Sequence, residues 1–515
     1  MPVSQQSGLS SVDRLCAVIA TPIAREALAQ LKLALRYTKT VELRLDWLRS
    51  DRERTKLLAA LRRRPRKNVT LLATCRRILG GGRLAGGAEA ELYWLTQARE
   101  AGCQWCDLEI ETLRELPEQS ARSYPLPENI LLSFHDFEKT PPLPRRLVHA
   151  RRGQADAFKV AAKVRTLKDS LRILQLARES KDVVAVPMGE VGLPARLLAL
   201  REGSALAYAP VAVATAPGQV SLQDFKKLYR ADAVTRKTGI YGVIGNPIGH
   251  SLSPLLHNTG YVAAGRDAMF LPFLVENLSE FLKTIPEFGL RGISVTIPHK
   301  QTFMKYLHAC EPVADKIGAI NTMVIAKNGK LLGSNTDYVG VLRALETKLH
   351  LMGARVLILG AGGSARAAAF ALADAGAEVL ICARREAAAQ ELARACGAQV
   401  IARRHVASAS FELIINATPV GMYPNDGVSP LDAKELNAPF VMDLIYRPMQ
   451  TELLRIAARK GISVISGVEM FLAQGFVQWE LFMGQPAPEA AMRRAVLAIL
   501  SAAESSKRVP GKGKR

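Results

Sequence analysis

About the first 230 residues alternate short apolar runs with helix-length amphipathic spacers. The runs at 16–20, 41–47, 69–75, 105–110, 130–134, 157–162, 183–188 and 205–213 are nearly continuous in Val, Ile, Leu and Ala. Runs of that kind, separated by helices, predict parallel strands covered on both faces. Eight such units over this length predict a closed (β/α)8 barrel, a TIM barrel, with an open doubly wound sheet as the alternative. In a barrel the polar side chains at the C-terminal strand ends carry the chemistry. Here they are Glu42, Arg44, Arg76, His135, Asp136, Lys159, Arg196 and Gln219.

The pattern breaks in a short basic stretch at 231–238 and a new α/β pattern begins at Ile240. Strands are predicted at 241–244, 269–275, 292–297 and 322–325, followed by a helix over 339–350. Further strands at 356–359, 378–383, 413–416, 441–444 and 463–465 alternate with helices, and two helices close the chain. The expected fold is therefore α/β throughout, a barrel followed by a two-lobed α/β unit. Its expected domains are 14–232, 239–338 and 339–503, the last Rossmann-like and including the closing helices. Residues 504–515 are expected to form a disordered basic tail.

Composition narrows the function classes. No apolar run approaches the ~20 residues that cross a bilayer, and the N-terminal residues lack a signal or transit pattern, so the cytoplasm is the expected location. The seven cysteines are scattered, and the Cys103–Cys106 pair has redox-motif spacing but enters a strand, which predicts structural, reduced thiols. The net charge of +22 comes partly from the C-terminal tail and a helical surface at 49–67. No aromatic residues interleave with these charges, so anionic small molecules are the expected partners and nucleic acid is not. No metal is called for, and nothing in the pattern sets an oligomeric state.

Three segments concentrate polar groups on turns that end apolar runs: Asn246–Pro254, Ser294–Lys300 and Asn335–Asp337. They supply Ser251, Ser253, Thr296, an ammonium at Lys300 and a carboxylate at Asp337. That inventory suits a small polyhydroxylated acid, with the Lys/Asp pair left for proton transfer. A glycine-rich loop, Gly360-Ala361-Gly362-Gly363-Ser364, then follows a buried strand and opens a helix, the context of a dinucleotide site. The next strand ends at Arg384 and Arg385, where an acidic residue would take a ribose hydroxyl. Arginine there suits the 2′-phosphate of NADP. Thr418 ends another strand beside the expected cofactor cleft.

In order and in wording, Gly245–Pro254, Val295–Lys300, Gly318–Thr322, Asn335–Asp337, Gly360–Gly363, Asn416–Met422 and Phe471–Gln474 resemble shikimate dehydrogenase over about 239–503. The resemblance implies that Ser251, Ser253, Thr296, Asn321, Asp337, Tyr446 and Gln474 hold the substrate, and that Lys300 paired with Asp337 is the acid/base residue. It implies a cofactor site of Gly360, Ala361, Gly362, Gly363, Ser364, Arg384, Arg385, Thr418, Leu444 and Gly467. The strand end departs from the family's Asn-Arg-Thr: here it reads Ala383-Arg384-Arg385.

The first half, through Glu42-Leu-Arg44-Leu-Asp46, Thr74-Cys-Arg76, Ser133–Phe137, Lys159, Arg196 and Ala216–Gln219, resembles type I 3-dehydroquinate dehydratase. The resemblance implies a Schiff base on Lys159, with His135 removing the C2 proton and assisting loss of water. Lys163 is a rival nucleophile on spacing alone. Glu42, Arg44, Arg76, Arg196, Thr215 and Gln219 are implied to hold the substrate. Two departures stand out: the family usually has Glu where this chain has Gly80, and Ser where it has Thr215. Together the halves imply conversion of 3-dehydroquinate to shikimate with NADPH in the shikimate pathway. The alternative is an NAD-preferring quinate/shikimate dehydrogenase with a weakened or non-catalytic barrel.

Overall fold

A computed structural model describes residues 13–63, 68–115, 124–141, 155–212 and 218–508. They form two compact units that divide at Thr238/Gly239, with Glu280–Glu287 grouped with the first.

The first unit contains β1 (Leu15–Ile19), β2 (Thr40–Arg44), β3 (Thr70–Thr74), β4 (Trp105–Glu109), β5 (Asn129–Asp136), β6 (Ala157–Lys163), β7 (Val183–Met188) and β8 (Ala207–Pro210). They pair in the order β7-β6-β5-β4-β3-β2-β1-β8, all parallel. Ala205 N–H, just ahead of β8, donates to Val183 O at 2.8 Å, which brings the two ends of the sheet together. The eight strands and near closure match the barrel expected from the apolar runs. β1 and β4 are buried at every position, as strands covered on both faces must be. Cys16, Leu72, Trp105, Leu131, Ala157 and Val184 pack into a floor beneath the polar residues.

The outer helices follow local rules. In Leu167–Glu179, Thr166 and Asp169 make a reciprocal capping box, while Leu167, Leu171 and Leu174 bury one stripe against the barrel strands.

The second unit holds two sheets. One has β9 (Gly239–Gly245), β10 (Ala268–Leu274), β11 (Leu290–Val295), β12 (Ala309–Cys310), β13 (Thr322–Ile325) and β14 (Leu331–Ser334), in the order β10-β9-β11-β13-β14-β12. β13 runs antiparallel to both neighbours. β12 and β14 were not foreseen. β14 pairs with β13 through a tight turn in which Ala326 N–H donates to Lys330 O and Gly329 takes a φ of 80°. The Asn328-Gly329 pair that permits this turn was present in the sequence.

The other sheet has β15 (Arg355–Leu359), β16 (Glu378–Cys382), β17 (Gln399–Val400), β18 (Leu413–Asn416), β19 (Phe440–Asp443) and β20 (Ser463–Ser466). All pairs are parallel in the order β17-β16-β15-β18-β19-β20. That is the doubly wound order, whose switch point between β15 and β18 is where a ligand binds.

The closing helices Gly467–Met483 and Glu489–Arg508 correct the expected domain assignment. Phe471, Phe476, Trp479, Met492 and Val496 share a core with Tyr241, Val243, Tyr261 and Phe270. By packing they belong with the β9 sheet, because the first of them is apolar on nearly all sides and needs two partners. The last helix also passes the 503/504 boundary and ends at Arg508; residues 509–515 of the expected tail lie outside the described residues.

Candidate active sites

Alternation along the barrel strands puts one polar set inside. Glu42 and Arg44, Asp107 and Glu109, and Ser133 and His135 are each two residues apart, and Thr74 and Arg76 follow the same step. Lys159 lies third in β6, not at its end, and is 5% exposed. Its Nζ donates to Asp107 Oδ2 and stands 3.9 Å from Glu42 Oε1 and 4.8 Å from the Tyr208 ring centre. Asp107 also accepts from Ser133 Oγ at 2.6 Å and from Arg76 at 3.2 Å. Burial alone would raise the Asp107 carboxyl, but Lys159 and Arg76 outweigh it and hold it well below the usual carboxylate range. Lys163, the rival amine, ends β6 and is exposed.

Burial, with the positive charges of Arg76 and Lys159, holds the His135 imidazole well below its ordinary value. It is a neutral ring at pH 7, able to accept a proton, and its buried Nδ1 has no hydrogen-bond partner among the described residues. The ring stacks on Phe137 at 5.9 Å. Arg196 is not on a strand end as expected; it sits in the short helix Leu193–Leu198 after β7. It is buried, its NH1 lacks a hydrogen-bond partner among the described residues, and burial lowers it to about 10. A buried guanidinium with an open donor suits an anionic ligand group. Arg44 is held bidentately by Asp46 at 2.8 and 2.9 Å, and Thr74 donates to Glu42 at 2.7 Å. Gln219 is half-buried, and Thr215 lies outside the described residues.

Gly80 has a physical counterpart. A side chain there would collide with the Glu109 carboxylate, which occupies that space. Glu109 is 2% exposed and 3.3 Å from Arg76 Nε; burial raises its carboxyl and Arg76 opposes the rise. The sequence reading missed Asp107, Glu109 and Tyr208. For Asp107 and Glu109 a signal existed, two carboxylates at i and i+2 within a run that is otherwise apolar.

Cys103 and Cys106 are both buried free thiols, and burial pushes Cys103 up to about 12. Cys106 lies in β4 and Cys103 just ahead of it, both as buried packing residues.

The second unit encloses a cavity of about 360 Å³. Ser251, Ser253, Thr296, Lys300, Asn321, Asp337, Tyr446 and Gln474 all line it, along with Ser364, Thr418 and Leu444. Lys300 lies in the turn after β11, and Asp337 is the second residue of the helix Thr336–Leu345. Lys300 Nζ donates to Asp337 Oδ2 at 2.5 Å. Asn321 Nδ2 donates to the other Asp337 oxygen at 2.8 Å and to Gln474 Oε1 at 3.2 Å, while its own carbonyl accepts from Thr336 N–H at 2.8 Å. Asn321, expected on the substrate alone, therefore also orients the aspartate. Tyr446 stacks on Phe471 at 4.3 Å. Gln478, one turn after Gln474, was missed; it accepts from Ser294 Oγ at 2.7 Å and donates to Asn321 O at 3.1 Å.

The glycine-rich loop joins β15 to the helix Gly363–Asp374. Gly360 has a φ of 112°, which only glycine tolerates readily, and Gly362 faces open space where a Cβ would meet nothing within 4 Å. The helix Gly363–Asp374 starts without a side-chain cap, leaving its first amides for an anion. Gly360, Ala361, Gly362 and Gly363 form this turn after β15. Arg384 and Arg385 are exposed past β16 and, among the described residues, form no ion pair. Thr418 is bonded to Asn416 at 2.7 Å. Gly467 has a packing role: a Cβ there would strike the Asp443 and Leu444 backbone at 2.6 Å. Among the described residues no helix is long and apolar enough to cross a membrane.

Fold and sites together define a two-centre enzyme, one centre in a barrel and one in a dinucleotide-type cleft. A family model described as Type I 3-dehydroquinase matches residues 15–236. Models for the shikimate dehydrogenase substrate binding domain and the shikimate 5′-dehydrogenase C-terminal domain match 243–323 and 467–497. One for coenzyme F420-dependent NADP oxidoreductase matches 355–443. The chain is 31% identical over 504 residues to the chloroplastic bifunctional 3-dehydroquinate dehydratase/shikimate dehydrogenase of Arabidopsis thaliana, covering 93% of this chain and 81% of that one. It is 40% identical over 270 residues to the NADP(+) shikimate dehydrogenase of Bacillus cereus strain G9842, covering 50% of this chain and 97% of that one. It is also similar to the crystal structure of a Thermus thermophilus shikimate 5-dehydrogenase in complex with NADP(H) and shikimate. That match is 33% identical with a TM-score of 0.47, covering 51% of this chain and 99% of that one. The chain belongs to the bifunctional 3-dehydroquinate dehydratase/shikimate dehydrogenase family.

Proposed function

We propose that this chain dehydrates 3-dehydroquinate to 3-dehydroshikimate in the barrel and reduces that product to shikimate in the cleft, with NADPH. The observation that carries the reading is the pair of lysine–aspartate contacts, one in each unit.

In the barrel, Lys159 gives up its proton and attacks the C3 ketone; loss of water leaves an iminium. The iminium draws electrons from C2, so neutral His135 takes the C2 proton and returns it to the substrate hydroxyl, which departs as water. Water then hydrolyses the imine and frees Lys159. Arg196, with its open donor, holds the substrate carboxylate. Glu42, Arg44, Arg76, Thr215 and Gln219 complete the pocket, and Glu109 supplies a carboxylate in the space beside Gly80.

In the cleft, Ser251, Ser253, Thr296, Asn321, Tyr446 and Gln474 orient the substrate, and Lys300 hands a proton to the developing alkoxide. Asp337 holds the ammonium toward the cavity. NADPH, when bound, supplies the hydride. Gly360 to Ser364 would hold its pyrophosphate, Arg384 and Arg385 its 2′-phosphate, and Thr418 and Leu444 would flank it. A cytoplasmic location belongs to this reading; the seven free cysteines support a reducing compartment. The proposed domains run 14–232 for the barrel, 239–338 for substrate binding and 339–466 for the cofactor, with the closing helices on the substrate lobe.

The test is a coupled assay on the intact chain, following NADPH oxidation from 3-dehydroquinate. Oxidation without added dehydratase is expected. A signal that needs separate dehydratase would refute the barrel half, and none from 3-dehydroshikimate would refute the cleft half.

A further inference from the structure

Ser364 is the second residue of the helix that opens the nucleotide loop. Its hydroxyl does not cap that helix, whose N-cap is Gly362. Instead it accepts a hydrogen bond from Lys300 Nζ at 3.0 Å. The loop presses on the same lysine from the side, because a Cβ at Gly363 would meet Lys300 Cβ and Cδ at 2.9 and 3.0 Å. The ammonium is thus gripped from two directions, by Asp337 on the β9 lobe side and by Ser364 on the β15 sheet side.

The two partners differ in what they can do. A carboxylate only accepts, so Asp337 can still take an N–H of the neutral amine once Lys300 has given its proton away, but it loses the charge attraction and cannot meet the new nitrogen lone pair. A hydroxyl accepts from an ammonium and donates to a neutral amine. We propose that Ser364 is a positioning residue that keeps Lys300 in place before and after proton transfer, and that it ties the acid/base amine to the loop that receives the cofactor. The loop's first amides remain open to the pyrophosphate, so the side chain serves the lysine and the backbone serves the cofactor.

This inference rests on the dehydrogenase reading of the cleft. The test compares the full chain with Ser364→Ala and Ser364→Thr, measuring kcat and KM for 3-dehydroshikimate and the NADPH Kd by fluorescence titration. Ser364→Ala should lower kcat about tenfold, the scale of a lost hydrogen bond to a charged group. KM and NADPH Kd should stay within about twofold, and Ser364→Thr should recover most of kcat, since it restores the hydroxyl. An unchanged kcat in Ser364→Ala, a loss confined to NADPH affinity, or failure of threonine to rescue would overturn the proposal. A wild-type chain without reductase activity would instead overturn the dehydrogenase reading.

Discussion

The two lysine–aspartate pairs differ in their surroundings. Lys159–Asp107 sits among other charges: Glu42 at 3.9 Å from the amine, and Arg76 at 3.2 Å from the aspartate. Lys300–Asp337 sits among neutral groups: Asn321, Thr336, Gln474 and Ser364. In the proposed mechanism the first site absorbs a charge that moves between amine, iminium, carboxylate and leaving hydroxyl, and it carries partners of both signs. The second passes one proton, and amides and hydroxyls that orient without competing for it suffice. On the proposed reading, the same contact serves covalent chemistry in one place and acid–base chemistry in the other.

The sharpest way to break this comparison is to remove each amine in turn. Lys159→Ala should cut dehydration by about a thousandfold or more while 3-dehydroshikimate reduction stays at the wild-type rate. Lys300→Ala should cut reduction by about 10²–10³-fold with dehydration intact. Separate assays of the two steps check both, and loss of both activities in either variant would show that the sites are not independent.

Arg384→Asp comes next. It removes a cation from the expected 2′-phosphate position and adds a like charge, so the NADP/NAD ratio of kcat/KM should fall about 10–100-fold. An unchanged ratio would move cofactor selection elsewhere.

Glu109→Gln keeps the shape beside Gly80 and deletes the charge. Dehydration should fall about tenfold with reduction untouched; a change under twofold would reduce Glu109 to filling space.

The smallest effect is in pH. Because His135 is held well below its ordinary value by burial and by neighbouring cations, it stays a neutral base as pH drops through 6.5. The acid limb of the dehydration profile should therefore lie below the ordinary histidine range, whereas reduction lacks that limb. A limb at or above pH 6.5 assigned to His135 would contradict the geometry.

Much of this was legible in the chain. The eight buried runs carried the barrel because a strand covered on both faces needs continuous apolar sequence. Lys300, Asp337 and the serines were readable because they lie on turns within short, ordered segments. Asp107 was not, since its partnership with Lys159 depends on β4 and β6 facing one interior through a shared register. β12 and β17 have only two residues each and leave no periodicity to detect. The closing helices were misassigned because an apolar face does not name its partner; Trp479 finds Tyr261 across more than 200 residues. Gln478 was hidden by the same helix, although its spacing from Gln474 puts both on one face.

The central claim is that the barrel amine works by covalent attachment. The direct test is borohydride reduction of the intact chain during turnover of 3-dehydroquinate, followed by peptide mapping. Label on Lys159 and on no other lysine is predicted. Label on Lys163 or Lys300, or full dehydratase turnover with no label at all, would contradict it.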